Sequence, residues 1–264
     1  MKSSPSARNW LQNLLCQLAA HAIDDTQRMV THRDAAIHAL RVRMKKLQAL
    51  LLLAVDKPEG TDIEPLLNHV RAIKNGFSGT RDAHVVERVA TKIAKARLPL
   101  SPFIQHLTWT TEHAQKETAS LLEEMKSLKL PRITWKEIAN RHVASYRRVR
   151  KAMKHCAGSH DAEAFHQWRK RVKVHYFQSL ALHRHRQGAK RIHAAARLAS
   201  KLGHEHDITL VESRLDEARR GQQWKKRLEH KRHKLHTKLL SEGRRAFDAS
   251  PKCIAKNLLH KATS

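Results

Sequence analysis

Turn-forming residues are scarce in this chain, with 8 glycines and 7 prolines among 264 residues. So few of them leave little material for hairpins and tight turns, and they favour long helices joined by short loops. Cysteine is scarcer still. Cys16, Cys156 and Cys253 form an odd, widely spaced set without a Cys-x-x-Cys pair. That pattern argues against a disulfide framework and fits a reducing compartment. No run approaches the roughly 18 apolar residues needed to span a bilayer. The N-terminal stretch "WLQNLLCQLAA" is interrupted by Gln12, Asn13 and Gln17, so it reads as an amphipathic helix rather than a signal peptide. Cytoplasmic is therefore the expected location. Aromatic residues make up only 5% of the chain, which leaves little for stacking nucleic-acid bases.

Acidic residues are also few, and this shortage is the strongest signal. Asp and Glu number 24 against 52 Lys and Arg, a net charge of +28 before any of the 21 histidines is protonated. Such an excess repels itself in the folded state, and a polyanionic partner relieves the repulsion. Nucleic acid, anionic lipid and inorganic polyphosphate are the candidates. Apolar residues recur along nearly the whole chain, so long disorder is not expected.

The apolar spacing is helical throughout, and no alternating strand pattern emerges. Trp10, Leu11, Leu14, Leu15 and Leu18 give a first helix its stripe. Asp34 is placed to cap a helix running to about Val55. "TDIE" at 61–64 reads as a capping box, with Pro65 in the first turn behind it. Further helices are expected over about 80–97 and 103–128, and from a second capping box, Thr134 to Glu137, to about 156–161. A basic helix follows Asp161, then one ending at Leu202, a break at "GHEH", another from about His206, and a last long helix over roughly 222–248. Ten or eleven helices with short connections predict antiparallel bundle packing. The tryptophans at 10, 109, 135, 168 and 224 fall at helical spacings and are expected in the core.

Two segments of this pattern are alike. "IHALRVRMKK" (37–46) and "FHQWRKRVKV" (165–174) both read apolar–His–x–x–Arg–x–Arg–x–Lys, 128 residues apart. On a helical wheel Leu40, Met44, Leu47 and Leu51 form a core stripe, with His38, Arg41 and Lys45 on one flank and Arg43 and Lys46 on the other. In the later copy Trp168 and Val172 take the stripe, His166, Arg169 and Lys173 the flank, and Lys170 and Arg171 complete the basic run. Each copy is followed by a second shared element. "SGTRDAHVVERV" and "GHEHDITLVESRL" carry Asp82, Val86, Glu87 and Asp207, Val211, Glu212 in the same Asp-x-x-x-Val-Glu spacing. A two-part motif recurring in order indicates an internal duplication.

These elements resemble the CHAD family, the alpha-helical domains named for their histidines. Its hallmarks are a His-x-x-Arg-x-x-x-Lys basic helix and a following Gly-x-x-(Arg/His)-Asp element, each present twice. The resemblance covers nearly the whole chain. It departs at "SGTRD", where the glycine is one residue closer to the aspartate, and at Val174, which stands where the first copy has Lys46. It implies an all-α fold of two four-helix bundles, halves 1–130 and 131–264 of a single domain 1–264, related by a pseudo-twofold with a basic cleft between them. It also implies non-enzymatic binding of inorganic polyphosphate and association with polyphosphate granules. Many members carry a CYTH triphosphatase domain. This chain has no room for one and no Glu-x-Glu-x-Lys signature, so that activity is not expected here.

The residues themselves support the same ligand class. Arg meets phosphate oxygens bidentately and Lys as a mobile point charge. The candidate binding set is His38, Arg41, Arg43, Lys45, Lys46 and the later His166, Arg169, Lys170, Arg171, Lys173. Arg71, Lys74 and Arg81, then Arg197, Lys201 and His204, add cations near the second elements. Binding is expected to weaken with salt, and to strengthen as pH falls through the histidine range near 6.5. Asp82 and Asp207, near expected helix starts, read as caps or orienting ion-pair partners. No metal or cofactor is called for. Two rival readings are a metal-dependent phosphohydrolase built on His206–Asp207, and a general nucleic-acid-binding protein. The first copy has Arg81 before Asp82, so the His-Asp pair is not shared. Weak, sequence-independent nucleic-acid binding follows from charge alone.

Overall fold

A computed structural model describes residues 5–77, 89, 91, 109–159, 161–182, 188–217 and 222–259. These comprise nine α-helices and no strand. The helix expected over about 80–97, and with it Arg81, Asp82, Val86 and Glu87, lies largely outside the described residues.

The first four helices are α1 (Ala7–Gln27), α2 (Arg33–Ala54), α3 (Ile63–Asn75) and α4 (Thr111–Ser127). Their inward stripes, among them Leu11, Leu15, Leu40, Met44, Val70 and Leu121, merge into one hydrophobic cluster that also takes in Leu130, Ile133 and Ile138. Within it α1 packs on α2 and α4, and α3 on α2 and α4. His69 on α3 ties that last contact, its two ring nitrogens 2.9 Å and 3.0 Å from the carboxylates of Glu124 and Glu117 on α4. The turn between α2 and α3 uses Gly60 at φ +73°, a conformation that costs a side-chain-bearing residue energy.

The remaining helices are α5 (Trp135–Ser159), α6 (Ala162–Leu182), α7 (Ala189–Glu217), α8 (Gln222–Ala246) and α9 (Pro251–Leu259). A second cluster gathers Tyr146, Phe165, Trp168, Val172, Leu202 and Phe247 from them. The sequential pairs α5–α6, α6–α7 and α7–α8 pack together, and α9 lies on α5. Trp168 is fully enclosed, whereas Trp10, Trp109, Trp135 and Trp224 are half-buried at the edges.

Several sequence expectations shift at helix ends. Thr134 and Glu137 do form a reciprocal capping box, with Glu137 N–H donating to Thr134 Oγ1 at 3.2 Å and Thr134 N–H to Glu137 Oε2 at 2.7 Å. Asp34 is not a cap, because α2 starts one residue earlier at Arg33 and leaves Asp34 in its first turn. Thr61–Glu64 is not a box around a single N-cap, since α3 starts at Ile63 behind Asp62. Instead Glu64 accepts from Gly60 N–H at 2.8 Å. Of the helix expected from 103, residues 103–108 lie outside the described residues; the described helix starts at Thr111, where Thr110 takes an extended conformation and its hydroxyl accepts from His113 N–H. The break at "GHEH" does not exist. α7 runs through it because Leu198, Leu202, Glu205 and Ile208 continue one buried stripe, and their burial outweighs the roughly 1 kcal/mol that a helical glycine costs.

Candidate functional site

The two basic helices α2 and α6 pack against each other. At one level Arg41 Nη1 donates to the Lys74 carbonyl at 2.8 Å, and the Lys74 ammonium feels Lys170. Eight residues further along both helices, Gln178 Nε2 donates to the Ala49 carbonyl at 2.8 Å. Equal steps along both chains mean that α2 and α6 run in the same direction, in register at an offset of about 129. The joint is completed at the end of α2, where Arg141 of α5 donates to the carbonyls of Leu53 and Ala54 at 2.9 and 2.8 Å. Those terminal carbonyls lack intrahelical partners, so the guanidinium satisfies them and favours the helix dipole.

Two basic faces flank this pair. The first is built on α2 and α3. Lys74 is held below the ordinary lysine value, first by its partial burial and then by Arg41, Arg71 and Lys170. Four cations from three helices therefore act on one another. The second face is a groove of about 620 Å³ with α6 as its floor and α2 and α7 as its walls. Arg169 and Lys173 rise from the floor, Lys46 comes from α2, and His204 and Asp207 come from α7. Gly203 sits beside the guanidinium of Arg169.

The two faces open on opposite sides. On α2, a step of about 100° from Arg41 to Val42 turns from the α3 side to the groove. On α6, the same step from Arg169 to Lys170 turns from the groove to the α3 side. Rotation of one sense on two parallel neighbours passes through their contact in opposite directions. The candidate cations are thus divided between two sides of the α2–α6 pair.

Other candidate residues are placed differently. Arg43 is turned to α1, where Nε and Nη2 donate to the buried Asp25 carboxylate at 2.6 and 3.1 Å. Lys201 pairs with Glu242 of α8. Arg171 and Arg197 are exposed and are not among the groove's lining residues. His38 is exposed, and Lys45 is partly buried on the Arg41 flank. His166 is partly buried, with its ring 4.4 Å from that of His206 on α7. Burial lowers its pKa, as do Lys170 and Arg169, with Glu163 opposing. The protonation window expected near 6.5 is therefore displaced downward for this histidine. Asp207 lies inside α7, so it caps no helix end; it lines the groove instead. Arg81 lies outside the described residues. Among the described residues no three His, Cys, Asp or Glu side chains are arranged to hold a metal ion.

Sequence reasoning missed a polar seam beside the joint. His142 of α5 and His175 of α6 stack with ring centroids 4.3 Å apart. Ser145 Oγ lies 2.8 Å from His175 Nδ1, and Ser179 Oγ lies within 3.4 Å of Nε2 on both rings. Burial pushes the His142 pKa down to about 4 and that of His175 well below the ordinary value, the latter aided by His142. Both rings are neutral at physiological pH. Their partners are mostly 30 or more residues away in sequence, so no local motif marks them.

The CHAD domain model matches residues 11–216, a span holding both basic helices, both faces and the joint. The chain belongs to the CHAD family. No match was found among curated proteins or solved structures. In this CHAD chain no described helix is long and apolar enough to cross a membrane.

Proposed function

We propose that this CHAD protein binds inorganic polyphosphate without transforming it, using the two basic faces of the α2–α6 pair. The observation that carries the reading is the convergence of Arg41 on α2 and Arg71 and Lys74 on α3 with Lys170 on α6. Like charges brought together at a partly buried site repel, and an anion with closely spaced oxygens offsets that cost along its length. A phosphate chain offers a uniform anionic ladder with no base edges to read. The CHAD match is consistent with this ligand.

The fold offers support for the finer architecture. We read the two hydrophobic clusters, each with its own basic helix, as duplicated halves related by a pseudo-twofold parallel to α2 and α6. Each half then supplies the floor of one face and lends one cation to the other. A long chain can occupy both faces by passing round the protein, or two segments can bind at once. A cytoplasmic location, at polyphosphate granules, follows from the ligand.

Calorimetric titration with long-chain polyphosphate, beside duplex DNA of matched charge at moderate and high salt, tests this. Arg41 and Arg169 are 8% and 7% exposed, so replacing them endangers the fold. The informative variant changes the more accessible Arg71, Lys74, Lys170 and Lys173 to Ala. Polyphosphate binding that outcompetes DNA, weakens steeply with salt and collapses in the variant is expected. Equal binding of both polyanions, unchanged in the variant, refutes the reading and leaves only bulk charge.

A further inference from the structure

The groove over α6 contains more than phosphate chemistry requires. Beyond Arg169 and Lys173 its floor continues into Tyr176, Phe177 and Leu180. Leu180 is 44% exposed, one of only two large hydrophobic side chains so exposed among the described residues. At the corresponding places on α2 the chain has Gln48, Ala49 and Leu52, so this aromatic floor belongs to one face alone. The facing wall on α7 is low, made of Ala196, Ala199, Ser200 and Gly203. α7 runs back along α6, so Gly203 stands by Arg169 and the alanines stand toward Leu180. The groove is therefore cationic at one end and apolar at the other. An inorganic chain gains nothing from the apolar end. A planar ring does, by leaving water against an aromatic floor.

We propose that this groove binds a nucleoside polyphosphate, with its phosphates among Arg169, Lys173, Lys46 and His204 and its base against Tyr176, Phe177 and Leu180. The volume of about 620 Å³ lies in the range of sites for small organic ligands. Several cations at one end match several phosphates on a single base, whereas a nucleic-acid strand carries one phosphate per base. The Asp207 carboxylate at the cationic end reduces the local positive charge, which favours a short phosphate tail over a long one. The proposal borrows from the polyphosphate reading only the sign of the ligand's charge, and the apolar end is its own evidence.

The test compares adenosine triphosphate, inorganic tripolyphosphate and a 5′-phosphorylated oligoadenylate by calorimetry at equal ionic strength. Wild type is expected to bind adenosine triphosphate about tenfold more tightly than tripolyphosphate, the effect of one stacked base. Phe177→Ala with Leu180→Ala should erase that margin while tripolyphosphate affinity stays unchanged. Crosslinking of 8-azidoadenosine triphosphate to wild type should label the peptide 174–182, a readout that needs no variant. Tripolyphosphate binding as tightly as the nucleotide, a margin that survives the double substitution, label elsewhere, or tighter binding of the oligonucleotide would each overturn the proposal. Long-chain polyphosphate titrated in parallel separates the two readings, since the double substitution leaves the cations of both faces in place.

Discussion

Acid should loosen the α5–α6 seam before the carboxylates titrate. His142 and His175 are stacked and buried among Ser145, Tyr146, Gln178 and Ser179, so neither ring accepts a proton readily. In the unfolded chain an imidazole is protonated as pH falls through about 6.5. In the folded chain His142 stays neutral down to about 4. Between those values the unfolded state binds more protons, so stability falls with pH and is complete only above the unfolded value. Over that window one such histidine is worth about 3 kcal/mol, a large part of the roughly 5–15 kcal/mol that holds a domain folded. His175 acts in the same direction. Glu112 and Glu137 are held below the ordinary carboxylate value by their hydrogen bonds, so they remain ionised while the histidines act. Urea unfolding at pH 7.5 and 4.5 reads the effect, against a His142→Gln, His175→Gln variant that keeps polar contacts and cannot titrate. Wild type should lose at least about 3 kcal/mol more than the variant between these pH values, since His142 alone supplies that much and His175 adds to it. Parallel losses in both proteins would refute the burial argument.

Two further outcomes follow from single contacts. Arg43→Ala leaves the Asp25 carboxylate, 2% exposed, without its guanidinium, and should cost about 3 kcal/mol in urea unfolding. It should weaken polyphosphate binding less than Lys170→Ala, because Arg43 points away from both faces; equal losses would contradict that placement. Gly243→Ala would put a methyl carbon 2.5 Å from the Trp168 ring and 2.8 Å from Met153 sulfur, so the urea midpoint should fall by the equivalent of about 1–3 kcal/mol. An unchanged midpoint would show that α8 does not approach α6 so closely.

Helix identity was legible wherever burial follows an apolar period, as in α1, α2 and α5. It was lost where a polar residue takes a place in the stripe. Glu205 is the clear case: it is 1% exposed and 3.0 Å from His236 of α8, and in the sequence it reads as part of a polar loop. A partner 31 residues away made it a core residue, and no local pattern reports such a partner. The same limit hid Arg43, whose flank on the wheel is correct but whose direction is set by Asp25 on another helix. The resemblance located the family, since its motifs are local. Which cations share a face depends on how α2 meets α6, and that contact joins residues about 129 apart.

That contact also gives meaning to a departure between the basic copies. Read by sequence, Val174 in place of Lys46 is a missing cation. The copies differ at a second place as well, where Val42 stands in the first and Lys170 in the second. Val42 and Lys46 both turn into the groove over α6, and Lys170 turns toward Lys74 on the other face. Each helix therefore lends the other's face one lysine, but a turn apart along the pair. The early position serves the α3 side and the later one the groove. A strict repeat with lysine at all four positions would put two cations on each lending flank, close to the guanidinium already there. Dividing the lysines between the two levels keeps a cation at each face and limits that repulsion. It also places Lys46 level with Tyr176, between the cationic and apolar ends of the groove, where it can reach a phosphate nearest an organic group. These lysine positions, together with the aromatic floor of Tyr176 and Phe177, make the two faces chemically different.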